Sequence, residues 1–220
     1  MAGHNPDEVA SVREAKLRHA CAHLGVSHLE PLRYHDSGMA KWRSQHREGA
    51  FCAVPVESAA ARITQLIDFY RPQVVVTHDP HSTGHPDHVH TAHVATHAVD
   101  SGQVVAKLYY KAHGGSYWRL LNQALADIGI HRPSPSAEKQ RVLDFVDQQI
   151  TTVIDVDHVI DRKRAALHSH ASQNGSSLGG KLPATQFRST CGIESYIRVR
   201  NTTATRATCL TVIRIDRAHD

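Results

Sequence analysis

The chain has 220 residues, of which 40% are apolar and 21% charged, with a formal net charge of +4 when histidine is neutral. These values are typical of one soluble globular domain, and no apolar run approaches the roughly 20 residues that a bilayer span requires. The basic residues are dispersed and only 5% of the residues are aromatic, so we expect a cytoplasmic protein without a nucleic-acid partner or a membrane span.

The first half of the chain alternates helical and extended patterns. Apolar residues at helical spacing predict a helix over 8–24, which Gly25 ends. A short strand is predicted over 28–34, an amphipathic helix over 57–70 and a buried strand over 74–76. Helix, strand, polar loop and helix in this order are typical of an α/β fold with a mainly parallel sheet.

The second half continues this alternation. Pro86 suits the first position of a helix over 86–99, and Ser116 is the expected N-cap of a helix that Gly129 ends. The remaining predicted segments are a β-rich run over 104–112, a polar loop over 131–140, a strand over 150–156 and a helix over 157–173. Residues 201–220 fit either a terminal strand or a poorly ordered tail.

The histidine-rich segment 77–97, "THDPHSTGHPDHVHTAHVATH", directly follows the strand predicted over 74–76. Binding sites of open α/β sheets lie just beyond the carboxyl ends of the strands. His85 and His88 are three residues apart, so both imidazoles can face one pocket, and Asp87 can accept an N–H from an imidazole. This spacing suits a metal site, although a solvated surface or a helix cap and turn would leave the same pattern.

The other histidines of the segment favour a structural interpretation. His90, His93 and His97 form a row on the predicted helix that we interpret as a polar or half-buried face rather than a set of ligands. His168 and His170, near the end of the helix predicted over 157–173, are weaker candidates for residues that line a pocket.

Several segments, taken in order, resemble the PIG-L/LmbE-type zinc-dependent N-deacetylases. "SVREAKLRHACAHLGV" is similar to a family helix with an Arg-Glu pair, and "YHDSGM" is similar to the family's "RDSGM" turn. "RPQVVVTHDPHSTGHPDHVHTAH" resembles the family's second metal motif, and "KRAALHSHASQ" resembles its late helix. The "GHPDH" segment is the most specific of these likenesses, which together cover residues 8–173.

The resemblance implies a Rossmann-like, three-layer α/β fold and zinc-assisted removal of acetyl from a small substrate that contains N-acetylglucosamine. Carried over by motif, His88 would be a zinc ligand, His85 the proton donor or oxyanion stabiliser, and Asp87 its orienting partner. Arg13 and Asp36 would contact the sugar. For these two residues, a surface ion pair and a turn cap are equally open alternatives.

One departure from the family is large. The family's "AHPDDE" motif, whose histidine and second aspartate bind zinc and whose first aspartate is the general base, is absent from these 220 residues. We therefore expect an N-terminally truncated family domain over 1–200, followed by a tail over 201–220. Substitution of the missing ligands by His4 and Asp7, or by His78 and Asp79, is an unfavoured alternative.

The missing motif leaves three functional hypotheses. The chain is a zinc-dependent deacetylase, inactive if it is truly truncated; it is a non-catalytic sugar- or metal-binding remnant of the same fold; or it is a histidine-rich metal buffer with several weak sites. The first hypothesis is favoured because the resemblance extends over several segments.

Overall fold

A computed structural model describes residues 6–39, 48–81, 84–102, 104–170, 177–203 and 211–214, with the backbone only at 6–8 and 211–214. The chain divides into two compact units that alternate along the sequence. The first unit comprises Met1–Leu32, Arg119–Pro133 and Asp155–Ile193, and the second comprises Arg33–Trp118, Ser134–Ile154 and Glu194–Asp220. Among the described helices, none is long and apolar enough to cross a membrane.

A five-stranded sheet is the framework of the second unit. Its strands, in the spatial order β1-β2-β4-β3-β5, are β1 (Val74–His78), β2 (Lys107–Ala112), β3 (Thr152–Asp155), β4 (Ile193–Asn201) and β5 (Thr211–Arg214). β1 pairs with β2 in parallel, so that His78 lies opposite Lys111. β2 pairs with β4 in the antiparallel direction, with an irregularity between Leu108 and Tyr109.

Helices α2 (Val56–Tyr70), α3 (Pro86–Asp100) and α5 (Ala137–Gln149) belong to the second unit. α2 packs against α3, and α3 also contacts β1 and β2. The shared core consists of small and branched residues: Ala59, Ala60, Ile67, Val94, Ala98, Val99, Val105 and Leu108. Alanines on the facing sides of α2 and α3 let the two helices approach closely, and burial of the branched side chains stabilises the arrangement.

Helices α1 (Pro6–Leu24), α6 (Ile160–His168) and α7 (Ala184–Cys191) belong to the first unit, and α4 (Gly115–Ala126) crosses the division between the units. α1 packs against α6, and Arg162 Nε on α6 donates a 2.9 Å hydrogen bond to the His23 carbonyl near the end of α1. Gly25 follows with φ of +72°, a conformation that favours glycine and ends the helix as predicted.

The predicted class, α/β and Rossmann-like, is confirmed. The predicted helices over 8–24, 57–70 and 86–99, and the strands over 74–76, 104–112 and 150–156, each correspond to an observed element. The predicted burial of the strand over 74–76 is wrong, because Val74 and Val76 are exposed on β1, at one end of the strand order. The terminal strand, one of the two alternatives for residues 201–220, is present as β5. The division into a domain over 1–200 and a tail over 201–220 stays a prediction.

Several local predictions are wrong. The segment 28–34 forms no strand; only a backbone bridge between His35 and Ala50 is present there. Ser116 does not cap α4, because the helix already begins at Gly115. The helix predicted over 157–173 is a 3-10 helix, Asp157–Val159, followed by α6. Helices α5 and α7 and strand β4 were not predicted.

Candidate active site

The candidate site lies where β1 leads into α3. His85 is the N-cap of α3, with extended backbone, and its Nδ1 accepts a 3.2 Å hydrogen bond from the Asp87 backbone N–H. Pro86 occupies the first helical position, where its missing N–H costs nothing. Asp87 lies in the first turn, where a carboxylate is favoured by the helix dipole.

The capping bond also determines the proton position on His85. In a neutral imidazole one ring nitrogen carries the proton and the other accepts hydrogen bonds. Because Nδ1 accepts from Asp87, the proton lies on Nε2. His85 therefore presents an N–H donor rather than a free lone pair, which suits a proton donor or oxyanion stabiliser and does not suit a metal ligand.

Three imidazoles stack at this point. The rings of His78 and His88 are stacked and nearly parallel, with centroids 3.9 Å apart and an interplanar angle of 2°. The His85 ring lies on His88 with centroids 4.8 Å apart and an angle of 28°. His78 is the last residue of β1, and His88 lies in the first turn of α3, so the strand and the helix together form the stack.

The environment keeps His88 neutral. Its pKa is lowered to about 4, first by partial burial and then by the neighbouring imidazoles of His78 and His85. Asp87 and Asp36 act in the opposite direction with smaller effects. Burial and His85 also lower the pKa of His78. At neutral pH the His88 ring therefore keeps a lone pair that a metal ion could use.

Asp87 has one engaged carboxylate oxygen and one unengaged oxygen. Its Oδ2 accepts a 3.0 Å hydrogen bond from the Ser37 backbone N–H. Its Oδ1 is buried and has no hydrogen-bond partner among the described residues. A buried acceptor without a donor is costly, so Oδ1 is available to an incoming N–H group or cation.

Asp36 completes the group. It lies in a turn in which its Oδ1 accepts a 2.7 Å hydrogen bond from the Gly38 backbone N–H. One side-chain nitrogen or oxygen atom from each of Asp36, His85 and Asp87 lies within 4.8 Å of the corresponding atoms of the other two. The structure thus brings together three of the five predicted site residues, and His88 joins them through its stack on His85. Arg13 is exposed on α1 in the first unit.

The other candidates from the sequence take different places. His90 is buried and meets the edge of the Phe51 ring, so the predicted polar or half-buried face is wrong for this residue. His93 and His97 are exposed, as that prediction requires. His168 is the last residue of α6, and His170 follows shortly after the helix; both belong to the first unit. The side chains of His4 and Asp7 lie outside the described residues.

Ser37 gains importance only from the structure, whereas Asp79 is already an unfavoured candidate ligand from the sequence. Ser37, which is fully buried, binds Asp87 through its backbone and accepts a 3.0 Å hydrogen bond from the Cys52 N–H through its hydroxyl. Asp79 is also buried; its Oδ1 accepts from the His81 N–H, and its Oδ2 has no hydrogen-bond partner in the described part of the chain. The sequence "DSG" at 36–38 predicts a turn, but it does not predict the contact of that turn with α3.

The histidine–aspartate cluster lies beyond the carboxyl end of a parallel strand, which is where open α/β sheets generally have their binding sites. Residues 1–99 match the PIG-L family, described as GlcNAc-PI de-N-acetylase. The crystal structure of the conserved protein TT1542 from Thermus thermophilus is similar in fold, with a TM-score of 0.53 at 16% identity, covering 94% of this chain and 80% of that one.

Two relatives are similar in sequence, and the first of them gives the family assignment. A protein of Acidothermus cellulolyticus named 1D-myo-inositol 2-acetamido-2-deoxy-alpha-D-glucopyranoside deacetylase is 35% identical over an alignment 215 residues long, which covers 92% of this chain and 72% of the relative. The protein of that name from Mycobacteroides abscessus is 37% identical over 184 residues, covering 78% of this chain and 64% of the relative. The chain belongs to the PIG-L deacetylase family.

Proposed function

We propose that this site belongs to a zinc-dependent amide hydrolase that removes acetyl from a small substrate containing N-acetylglucosamine. The observation that carries the proposal is the convergence of Asp36, His85 and Asp87 within 4.8 Å, beside the neutral imidazole of His88. The names of the relatives support an acetylated amino sugar linked to inositol as the substrate. A cytoplasmic location remains our expectation.

The described residues fit part of a zinc site. The lone pair of neutral His88 and the unengaged Oδ1 of Asp87 are donors that zinc accepts. A catalytic zinc takes about three protein ligands, so these two donors supply only part of its coordination. When bound, zinc would supply a Lewis acid and lower the pKa of a bound water.

The other residues act on the substrate. The Nε2–H of His85 donates a hydrogen bond to the amide oxygen as negative charge develops there. Asp87 orients the His85 ring, because its backbone N–H donates to His85 Nδ1. Asp36, exposed beside them, accepts hydrogen bonds from sugar hydroxyls. The resemblance also assigns a sugar contact to Arg13, and Arg13→Lys tests that assignment separately.

The test measures acetate release from N-acetylglucosaminyl-inositol and zinc bound per chain, in the wild type and in His85→Ala and His88→Ala. His93→Ala, on the exposed side of the same helix, is the matched control. We expect His85→Ala to lower turnover by roughly 100-fold or more with zinc retained, and His88→Ala to lose both zinc and turnover.

Two other results would redirect the proposal. Zinc that His88→Ala removes, without acetate release from the wild type, would support the non-catalytic binding protein instead. Several weakly bound zinc ions that His88→Ala leaves in place would contradict both and favour a histidine-rich metal buffer.

A further inference from the structure

The segment that carries Asp36 is held on both sides. Before it, the His35 backbone N–H donates to the Gly49 carbonyl at 3.0 Å, and the Phe51 N–H donates to the His35 carbonyl at 2.9 Å. After it, buried Ser37 bonds to Asp87 and to the Cys52 N–H, each at 3.0 Å. Asp36 is exposed between these two anchors, so its position depends on them.

Tyr34 connects the first anchor to α2 and α3 of the second unit. Its ring stacks on the Phe51 ring, with centroids 5.1 Å apart and an angle of 25°. The guanidinium carbon of Arg62, on α2, lies 5.1 Å from the centroid of the Tyr34 ring. Phe51 in turn meets the edge of His90 on α3 at 4.7 Å. A continuous row of contacting side chains, which we call the aromatic ladder, therefore runs from α2 to α3 and consists of Arg62, Tyr34, Phe51 and His90.

The ladder and the Ser37 hydrogen bonds end on the same helix. His90 lies one turn after Asp87 on α3, so the ladder fixes Tyr34 against the helix that carries Asp87 and begins at the His85 cap. Asp36 lies two residues after Tyr34 in the chain. The distance between Asp36 and the pair His85 and Asp87 is therefore controlled from two directions, by stacked rings and by hydrogen bonds.

We infer that Tyr34 is a positioning residue that holds Asp36 at the distance from His85 and Asp87 at which the sugar binds. This inference rests on the proposed function, because it takes Asp36 as the sugar-binding carboxylate. The positioning role depends on the Tyr34 ring and on its stacking against Phe51. An aromatic pair contributes an amount that corresponds to about a threefold to tenfold change in an equilibrium constant.

The test measures the affinity of N-acetylglucosaminyl-inositol by calorimetry, with a metal chelator present so that no turnover occurs. Tyr34→Leu removes the stack and should weaken binding by about threefold to tenfold. Tyr34→Phe keeps the ring and should stay within about twofold of the wild type. Asp36→Ala, in the same series, tests the sugar contact itself and should weaken binding by at least as much as Tyr34→Leu.

A spectroscopic signal reports on positioning without substrate. The Ser37 amide proton, which is bonded to the Asp87 carboxylate, should resonate downfield in the wild type and in Tyr34→Phe, and move upfield in Tyr34→Leu. Arg62→Met is a milder variant on an exposed helix position; it removes the cation–π contact and leaves the aromatic side chains in place. We expect a smaller shift of the same sign, even if Tyr34→Leu fails to fold.

The outcomes separate the two proposals. If Asp36→Ala weakens binding while Tyr34→Leu, or Arg62→Met where Tyr34→Leu is unfolded, changes neither the affinity nor the Ser37 amide, the positioning role is overturned and the proposed function stands. If the wild type does not bind the ligand, or if Asp36→Ala binds as tightly as the wild type, the sugar-binding role of Asp36 fails, and the role of Tyr34 fails with it.

Discussion

His88 gives the molecule a pH dependence that originates in a single side chain. The pKa of His88 is about 4 in the folded protein, whereas the usual value is 6.5. Between these values the unfolded chain binds a proton that the folded chain does not, so the free energy of unfolding decreases as the pH falls. The whole shift corresponds to about 3 kcal/mol, and solvent screening of this partly buried group reduces it to about 1–2 kcal/mol.

We predict that His88→Gln removes this part of the acid destabilisation. In the presence of a metal chelator, the difference in the free energy of unfolding between about pH 7 and pH 4 should be smaller in His88→Gln than in the wild type by about 1–2 kcal/mol. Urea unfolding at several pH values measures it. His93→Gln, an exposed change on the same helix, should keep the wild-type dependence. An identical dependence in wild type and His88→Gln would contradict the assignment.

The parts of the site that could be predicted are those that are close together in the sequence. His85, Asp87 and His88 share the first turn of α3, so their spacing alone indicated that they act together. Ser37 could not be found in this way, because its bond to Asp87 spans 50 residues of sequence. A serine in a turn has many possible partners, and only the packing of the turn against α3 selects this one.

Among the helices, α4 takes its N-terminal cap from another element. Asp147, on α5, accepts hydrogen bonds through Oδ2 from the Ser116 N–H at 2.8 Å and the Ser116 hydroxyl at 2.9 Å. The carboxylate reaches this position because Gly114 has no side chain. A Cβ at Gly114 would lie 1.9 Å from Asp147 Oδ1 and 3.0 Å from the Asp147 backbone nitrogen.

We therefore predict that Gly114→Ala destabilises the protein by displacing Asp147 from the start of α4. Loss of a helix cap costs about 0.5–2 kcal/mol, and the clash with the Asp147 backbone adds to this. Gly102→Ala is the matched control, since its Cβ would meet only the Ala98 carbonyl oxygen, at 4.0 Å. Thermal unfolding should show a clear decrease in Tm for Gly114→Ala alone; an equal Tm for both variants would contradict the cap.

The elements that could be predicted are those whose signals are local. α2 and α3 have apolar positions at helical spacing and a proline before or at one end. α5 was hidden by the polar stretch before it, although Ser136 caps it by accepting a 3.2 Å hydrogen bond from the Lys139 N–H. β4 alternates charged and apolar residues in a half-buried strand, and its pairing with β2 depends on residues far away in the sequence.

Across the whole molecule, the sheet has an unusual terminal strand. β1 stands at one end of the strand order, so one of its edges has no partner among the described strands. Edge strands usually carry charged residues or proline that prevent pairing with other chains, whereas β1 reads Val-Val-Val-Thr-His. Val74 and Val76 are 48% and 54% exposed. A strand of this composition is typical of the interior of a sheet.

We predict that the purified 220-residue chain associates through this edge in a concentration-dependent manner, and that Val76→Lys reduces the association. A lysine on the exposed strand keeps its charge in water and disfavours the approach of a second strand. Val199→Lys is the control, because Val199 is also exposed, at 43%, but lies on β4, which has neighbours on both sides. Sedimentation velocity should show a lower mean mass for Val76→Lys only. If both lysine variants lower the mass equally, the effect follows from net charge and the β1 edge is not the contact.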